Sequence, residues 1–214
     1  MSGIAPFPSF LVERYRIWRE ENFTPHQADY ETLASGQNPD VMVISCCDSR
    51  VYVADILKAR PGEFFVHRNI ANLVPPFKLT DDYHGTSAAV EFGVRALEVK
   101  HLLVLGHAAC GGVQNCHAQC SGEAVAADDY QFVKQWLNLM RPAFDGLDKA
   151  QNREAQVQAM AQQSIVNSLD NLLTFPFVAT AQMSGALTLH GAYHDIGRGI
   201  LSVYNPQTKH FEEL

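Results

Sequence analysis

The 214-residue chain has no apolar run long enough to cross a bilayer, no internal repeat and no low-complexity tract. Basic residues are scarce. Lys and Arg number 16 against 23 Asp and Glu, a formal net charge of -7. Without a clustered basic patch, that balance excludes nucleic acid and anionic membrane as partners, since both repel a like-charged surface. Residues 1–10 lack the basic start and apolar stretch of a secretory signal, so a cytoplasmic location is expected. Five cysteines, an odd number, do not suit a disulfide framework and point instead to metal or thiol chemistry. The remaining composition, 47% hydrophobic and 18% charged, is that of a globular protein able to bury one substantial core.

Hydrophobic periodicity predicts an α/β fold: a central, mostly parallel sheet with flanking helices, an extended N-terminal helix and a C-terminal antiparallel edge strand. Leu11, Tyr15 and Trp18 recur at helical spacing over 8–20. Thr24 followed by Pro25 reads as a cap and first helical residue of a second helix to about Ser35. A single domain, 1–214, is therefore expected, with a helical arm over 1–35 and an α/β core over 36–214. In that core, Val41-Met42-Val43-Ile44 and His101-Leu102-Leu103-Val104-Leu105 read as buried strands. A further strand is expected at 64–66. Helices are expected over 51–57, 86–98, 128–140, 150–173 and from Pro176 to Gly185, and a last strand pair at 187–189 and 200–204.

The first strand opens into Ser45-Cys46-Cys47-Asp48-Ser49-Arg50, and the second into Gly106-His107-Ala108-Ala109-Cys110-Gly111-Gly112. Ligands in open α/β sheets bind at the carboxyl ends of strands. Cys46, His107 and Cys110 together offer two thiolates and an imidazole, three ligands of a tetrahedral zinc with one position left for water. The alternative is a thiol-lined pocket that holds nothing. Arg50 can hold Asp48 ionised and fixed in orientation, so that it accepts hydrogen from a water at the metal; a helix-capping ion pair would use the same residues.

Cys46-Cys47-Asp48-Ser49-Arg50 and His107-Ala108-Ala109-Cys110-Gly111-Gly112 carry the C-x-D-S-R and H-x-x-C-G-G patterns of the β-class carbonic anhydrases. The resemblance extends through Arg60-Pro61-Gly62-Glu63, His67-Arg68-Asn69, Gly85-Thr86-Ser87 and His190-Gly191-Ala192-Tyr193-His194-Asp195, covering 37–204. It implies one Zn2+ per chain on Cys46, His107 and Cys110, an Asp48–Arg50 dyad, and reversible hydration of CO2 to bicarbonate by zinc-bound hydroxide. Two thiolates offset the charge of the dication, so activity is expected to favour the alkaline side. The plant-like branch, which the chain resembles, has a glutamine nine residues before the first cysteine, where Gln37 stands. The same resemblance assigns Phe65, the backbone N–H of Gly111 and position 92 to the substrate pocket; Phe92 stands where tyrosine is usual. It further implies a homodimer or higher homo-oligomer whose pocket is completed across an interface.

Some bacterial members bind bicarbonate at a second site built from a tryptophan, an arginine and a tyrosine. Val43, Arg68 and His194 occupy those positions here, so cooperative inhibition by bicarbonate is not expected. His84 is a candidate proton shuttle, although a loop histidine of no function has the same signature. His67 reads as a structural hydrogen-bonding group and Cys47 as a small buried hydrophobe. Cys116 and Cys120 would share a helical face beside His117, a weak signal for a second metal. Competing functions are hydrolysis of carbonyl sulfide or carbon disulfide on the same fold, and a catalytically dead, zinc-stabilised sensor. The retained Gln37, Asp48 and Arg50 count against the sensor, because a structural zinc needs none of them.

Overall fold

The computed structural model describes residues 3–80, 83–123 and 130–214. The expected helix start at Asp128 and part of the loop before His84 lie outside them. The described residues divide into two compact units, Met1–Asn38 and Pro39–Leu214. None of the described helices is long and apolar enough to cross a membrane.

The N-terminal unit holds α1 (Ser9–Trp18), which widens into a π turn, and α2 (Gln27–Leu33). Trp18 packs with Tyr15, Phe23 and Tyr30 at ring-centroid distances of 5.9–6.0 Å. No residue of α1 is buried, so this aromatic cluster is the small core of the unit. Thr24 does not cap α2. Its hydroxyl donates back to Arg19 O at 2.8 Å, the carbonyl that also accepts its own backbone N–H in the π turn.

The second unit is built on six strands among the described residues: β1 (Val41–Cys46), β2 (Phe64–Asn69), β3 (His101–His107), β4 (Thr188–Asp195), β5 (Ile200–Asn205) and β6 (His210–Glu213). Their order is β2-β1-β3-β4-β5-β6. The first three pairings are parallel and the last two antiparallel. Short α3 (Val53–Ile56) connects β1 to β2 on one side. The chain then crosses back through α4 (Gly85–Glu91) and a π turn to place β3 on the other side of β1. That reversal leaves a crevice outside the carboxyl ends of β1 and β3, the switch point at which α/β sheets bind ligands.

One face of the sheet carries most of the core. Met42, Ile44, Leu102 and Val104 project there beneath α5 (Gly111–Cys120), α8 (Arg153–Leu173) and α9 (Pro176–Met183). Asn152 caps α8, its side chain accepting the Ala155 N–H at 2.9 Å. The helix lies close to the strands because two of their residues have no side chain. A Cβ on Gly106 would stand 2.7 Å from Ile165 Cδ1, and one on Gly191 3.0 Å from Ile165 Cγ2. The opposite face holds a smaller cluster of Val43, Val51, Val53, Leu105 and Ala192. Short α6 (Gln131–Leu137) and α7 (Arg141–Asp145) complete the helices.

The expected strand at 187–189 runs on to Asp195, and β6 is an addition that alternation did not reveal. β6 is the edge strand, and the added part of β4, His190 to Asp195, mixes small, polar and aromatic residues, so period-two patterning is weak in both. The expected helix over 86–98 is regular only to Glu91, after which a π turn sets Gly93 against Met42.

Candidate metal centre

Cys46 ends β1, His107 ends β3, and Cys110 stands immediately before α5. The parallel pairing of Ser45 with Leu105 brings the two strand ends level. The ligand atoms of Cys46, His107 and Cys110 all lie within 4.8 Å of one another, and all three residues are buried. The two sulfurs are 3.9 Å apart. Two thiolates of a tetrahedral zinc, with bonds of about 2.3 Å, sit about 3.8 Å apart.

His107 supplies the sharper test. Its Nδ1 donates to Ala108 O at 2.8 Å; a carbonyl only accepts, so the tautomer is fixed. That leaves Nε2 with a lone pair, and Nε2 is buried with no hydrogen-bond partner. An orphaned acceptor beside two thiols is costly unless a cation meets it. Cys46 is drawn down to about 4, first by the hydrogen bond from Cys110 and then by the backbone N–H groups of Asp48 and Ala71. Cys110 is pushed up, first by sharing its proton with Cys46 and then by burial. One proton held between two sulfurs is what a dication would displace. The donor set fits zinc.

The dyad lies beside this set. Arg50 Nε and Nη2 donate to the two oxygens of Asp48 at 2.8 and 2.6 Å, and the Arg50 backbone N–H adds a third bond at 3.0 Å. This grip holds the Asp48 carboxyl well below the usual carboxylate range. Nη2 of Arg50 also donates to Ala109 O at 3.0 Å, tying the first metal loop to the second. Asp48 Oδ2 stands 3.9 Å from His107 Nε2.

Three features of the site escaped the sequence. Ala71, Asn72 and Ala109 adopt left-handed backbone, at φ of 62°, 50° and 53°. No composition signal marks an alanine for that region, yet the twist at Ala71 aims its N–H at Cys46 Sγ, 3.4 Å away. Arg68 donates to the carbonyls of Cys46, Asp48 and Val51 at 2.8–2.9 Å, bracing the loop that bears ligand and dyad. Trp136 Nε1 donates to Ile70 O at 2.8 Å beneath the same region.

The remaining candidates divide. Gly111 opens α5, so its N–H has no intrahelical partner. His67 Nε2 pairs with Thr86 Oγ1 at 3.0 Å, a structural contact as expected. His84 precedes α4, pairs with Thr80 Oγ1, and shares a groove of about 940 Å³ with Cys47, Asn69 and Trp136. Cys47 is exposed in that groove, which corrects the expectation of a buried residue. Alternation does turn it away from Cys46, but a groove rather than core meets it there. Cys116 is buried with its thiol donating to Leu137 O at 3.3 Å, and His117 Nε2 pairs with Gln156 Oε1 at 3.0 Å. Among the described residues neither joins a three-ligand group.

The Phe65 and Phe92 rings pack at a tilt with centroids 5.7 Å apart, but Phe65 pairs with Met42, four residues before Cys46. At the rise of a parallel strand that places them about 13 Å down the sheet from the metal ligands of their own chain. Gln37 belongs to the N-terminal unit and is exposed.

The family model described as carbonic anhydrase matches residues 41–201. Beta carbonic anhydrase 3 of Arabidopsis thaliana is 32% identical over 190 residues, 87% of this chain and 72% of that protein. The chloroplastic beta carbonic anhydrase 5 of the same plant is 33% identical over 188 residues, 86% of this chain and 60% of its own length. Among solved structures, the β-carbonic anhydrase CcaA superimposes with a TM-score of 0.88 at 28% identity, over 96% of this chain and 98% of that one. A tetrameric β-carbonic anhydrase of the ascomycete Sordaria macrospora gives 0.75 at 28%, over 91% and 94%. Motifs, fold and relatives agree: this chain belongs to the β-class carbonic anhydrases, a family of lyases.

Proposed function

We propose that the protein catalyses the reversible hydration of CO2 to bicarbonate and a proton, with one zinc per chain on Cys46, His107 and Cys110. The observation that carries this reading is the buried, unpartnered Nε2 of His107 facing two thiols. Zinc, when bound, supplies the Lewis acidity that makes water a nucleophile near neutral pH. Asp48, kept ionised by Arg50, accepts hydrogen from the attacking water and turns its lone pair toward CO2. The Gly111 N–H, at the positive end of α5, donates to the oxygen that gains charge. Gln37 is the second donor in this reading, and His84, in the adjoining groove, carries the proton outward.

The substrate walls come from a second copy. Phe65 and Phe92 lie too far down their own sheet to reach their own site, while edge strand β2 leaves Val66 41% exposed. A homo-oligomer that brings the two rings over its neighbour's metal centre supplies the apolar surface CO2 needs. This arrangement and a cytoplasmic location, consistent with free thiols, belong to the same proposal. The test is CO2 hydration by the purified protein before and after dialysis against a zinc chelator. Activity lost with the metal and restored by zinc is expected; activity indifferent to zinc content would overturn the reading.

A further inference from the structure

At the other end of the sheet two histidines meet. His101 is the first residue of β3 and His190 the third of β4. His101 pairs in register with Thr188, and Leu103 with His190, so the two imidazoles lie diagonally on one face. His101 Nδ1 stands 3.1 Å from His190 Nε2, with ring centroids 5.2 Å apart. His101 is exposed and His190 half-buried. Six residues along β3 separate this pair from His107, about 20 Å at the rise of a strand.

We propose that His101 and His190 form a two-imidazole site for a divalent transition-metal ion, distinct from the Cys46–His107–Cys110 centre. Two nitrogens bound side by side to one ion, with bonds of about 2.0–2.1 Å and an angle between the octahedral 90° and the tetrahedral 109°, lie about 2.8–3.4 Å apart. The observed separation falls inside that window. Both rings stand on hydrogen-bonded neighbouring strands, so little freedom is lost in bringing the second ligand to the ion. Burial, and then His101, push the His190 pKa down, which favours the neutral, ligating ring. Without metal, one N–H···N bond joins the rings. On binding, that proton moves to the ring nitrogen facing away, and both lone pairs turn to the ion with no net proton released. The exposed side admits water to the remaining positions. An all-nitrogen pair selects borderline ions such as Ni2+, Cu2+ and Zn2+ over Mg2+ and Ca2+, which require oxygen.

Nickel is the suitable probe because it does not oxidise thiols. Zinc-loaded protein is titrated calorimetrically with Ni2+ while released zinc is measured. One nickel bound per chain with the zinc retained is expected. His101→Ala and His190→Ala should each weaken nickel binding by about tenfold or more, since a single imidazole loses the effective concentration of its neighbour. His190→Gln, which keeps the bulk and a hydrogen-bonding end, should show the same loss, and CO2 hydration should be unchanged in all three. Nickel uptake is read independently of catalysis. No uptake by the unaltered protein, uptake undiminished in the variants, or one zinc released per nickel bound would each overturn the proposal.

Discussion

Replacing Arg50 by alanine tests the centre most directly. The substitution removes the two side-chain bonds at 2.6 and 2.8 Å and leaves Asp48 only the backbone N–H at 3.0 Å. One carboxylate oxygen is then free to swing. Two ligands of a tetrahedral zinc with bonds of about 2.0–2.2 Å lie about 3.3–3.6 Å apart. Asp48 Oδ2 already stands 3.9 Å from His107 Nε2, so a movement of roughly half an ångström satisfies that separation. The released carboxylate should occupy the position that water needs, and should no longer act as acceptor. Loss of general acid–base help alone is worth about 10²–10⁴-fold, so the hydration rate should fall at least about a hundredfold. Zinc content should stay near one per chain, because the site gains an oxygen ligand. Stopped-flow hydration, metal analysis and the visible spectrum of the cobalt-substituted protein read these effects separately. Near-normal turnover with an unaltered cobalt spectrum would refute the reasoning and reduce the pair to a loop brace.

Cys110→Ser should lose both zinc and activity, measured by metal analysis; full metal retention would remove Cys110 from the ligand set. Phe65→Ala and Cys110→Ser chains, each inactive alone, should regain activity when refolded together, because one intact site forms between them; no recovery would place Phe65 outside the partner's pocket. Arg68 uses its guanidinium on three loop carbonyls, so hydration at rising bicarbonate should show ordinary product inhibition, and a steep cooperative loss would contradict this. Tyr193 is pushed up to about 12 by burial and then by Asp195. Between pH 10 and 12 the unfolded chain should release that proton first, so stability should fall with rising pH there, and Tyr193→Phe should flatten the fall in denaturant titrations.

Much of the centre was open to a reader of the chain. A β-branched run followed by Cys46, Asp48 and Arg50, and a second followed by His107 and Cys110, already specify strands, ligand types and the end of the sheet where they gather. Those signals are local, because strand propensity and turn chemistry act over a few residues. What the sequence could not give is geometry that depends on contacts far apart in the chain. The left-handed turn at Ala71 brings its N–H to the sulfur of Cys46, 25 residues earlier in the chain. Arg68 stands out in the sequence only by its resemblance to a bicarbonate-site arginine, and its bracing role appears once β2 is laid beside β1 and its guanidinium reaches three carbonyls. Cys47 alternates correctly yet is exposed, since alternation says which side a residue takes and not what covers that side. The pairing of His101 with His190, 89 residues away, likewise exists only once the register of β3 and β4 is set. Local chemistry named the ligands, and parallel pairing across long crossovers decided what surrounds them.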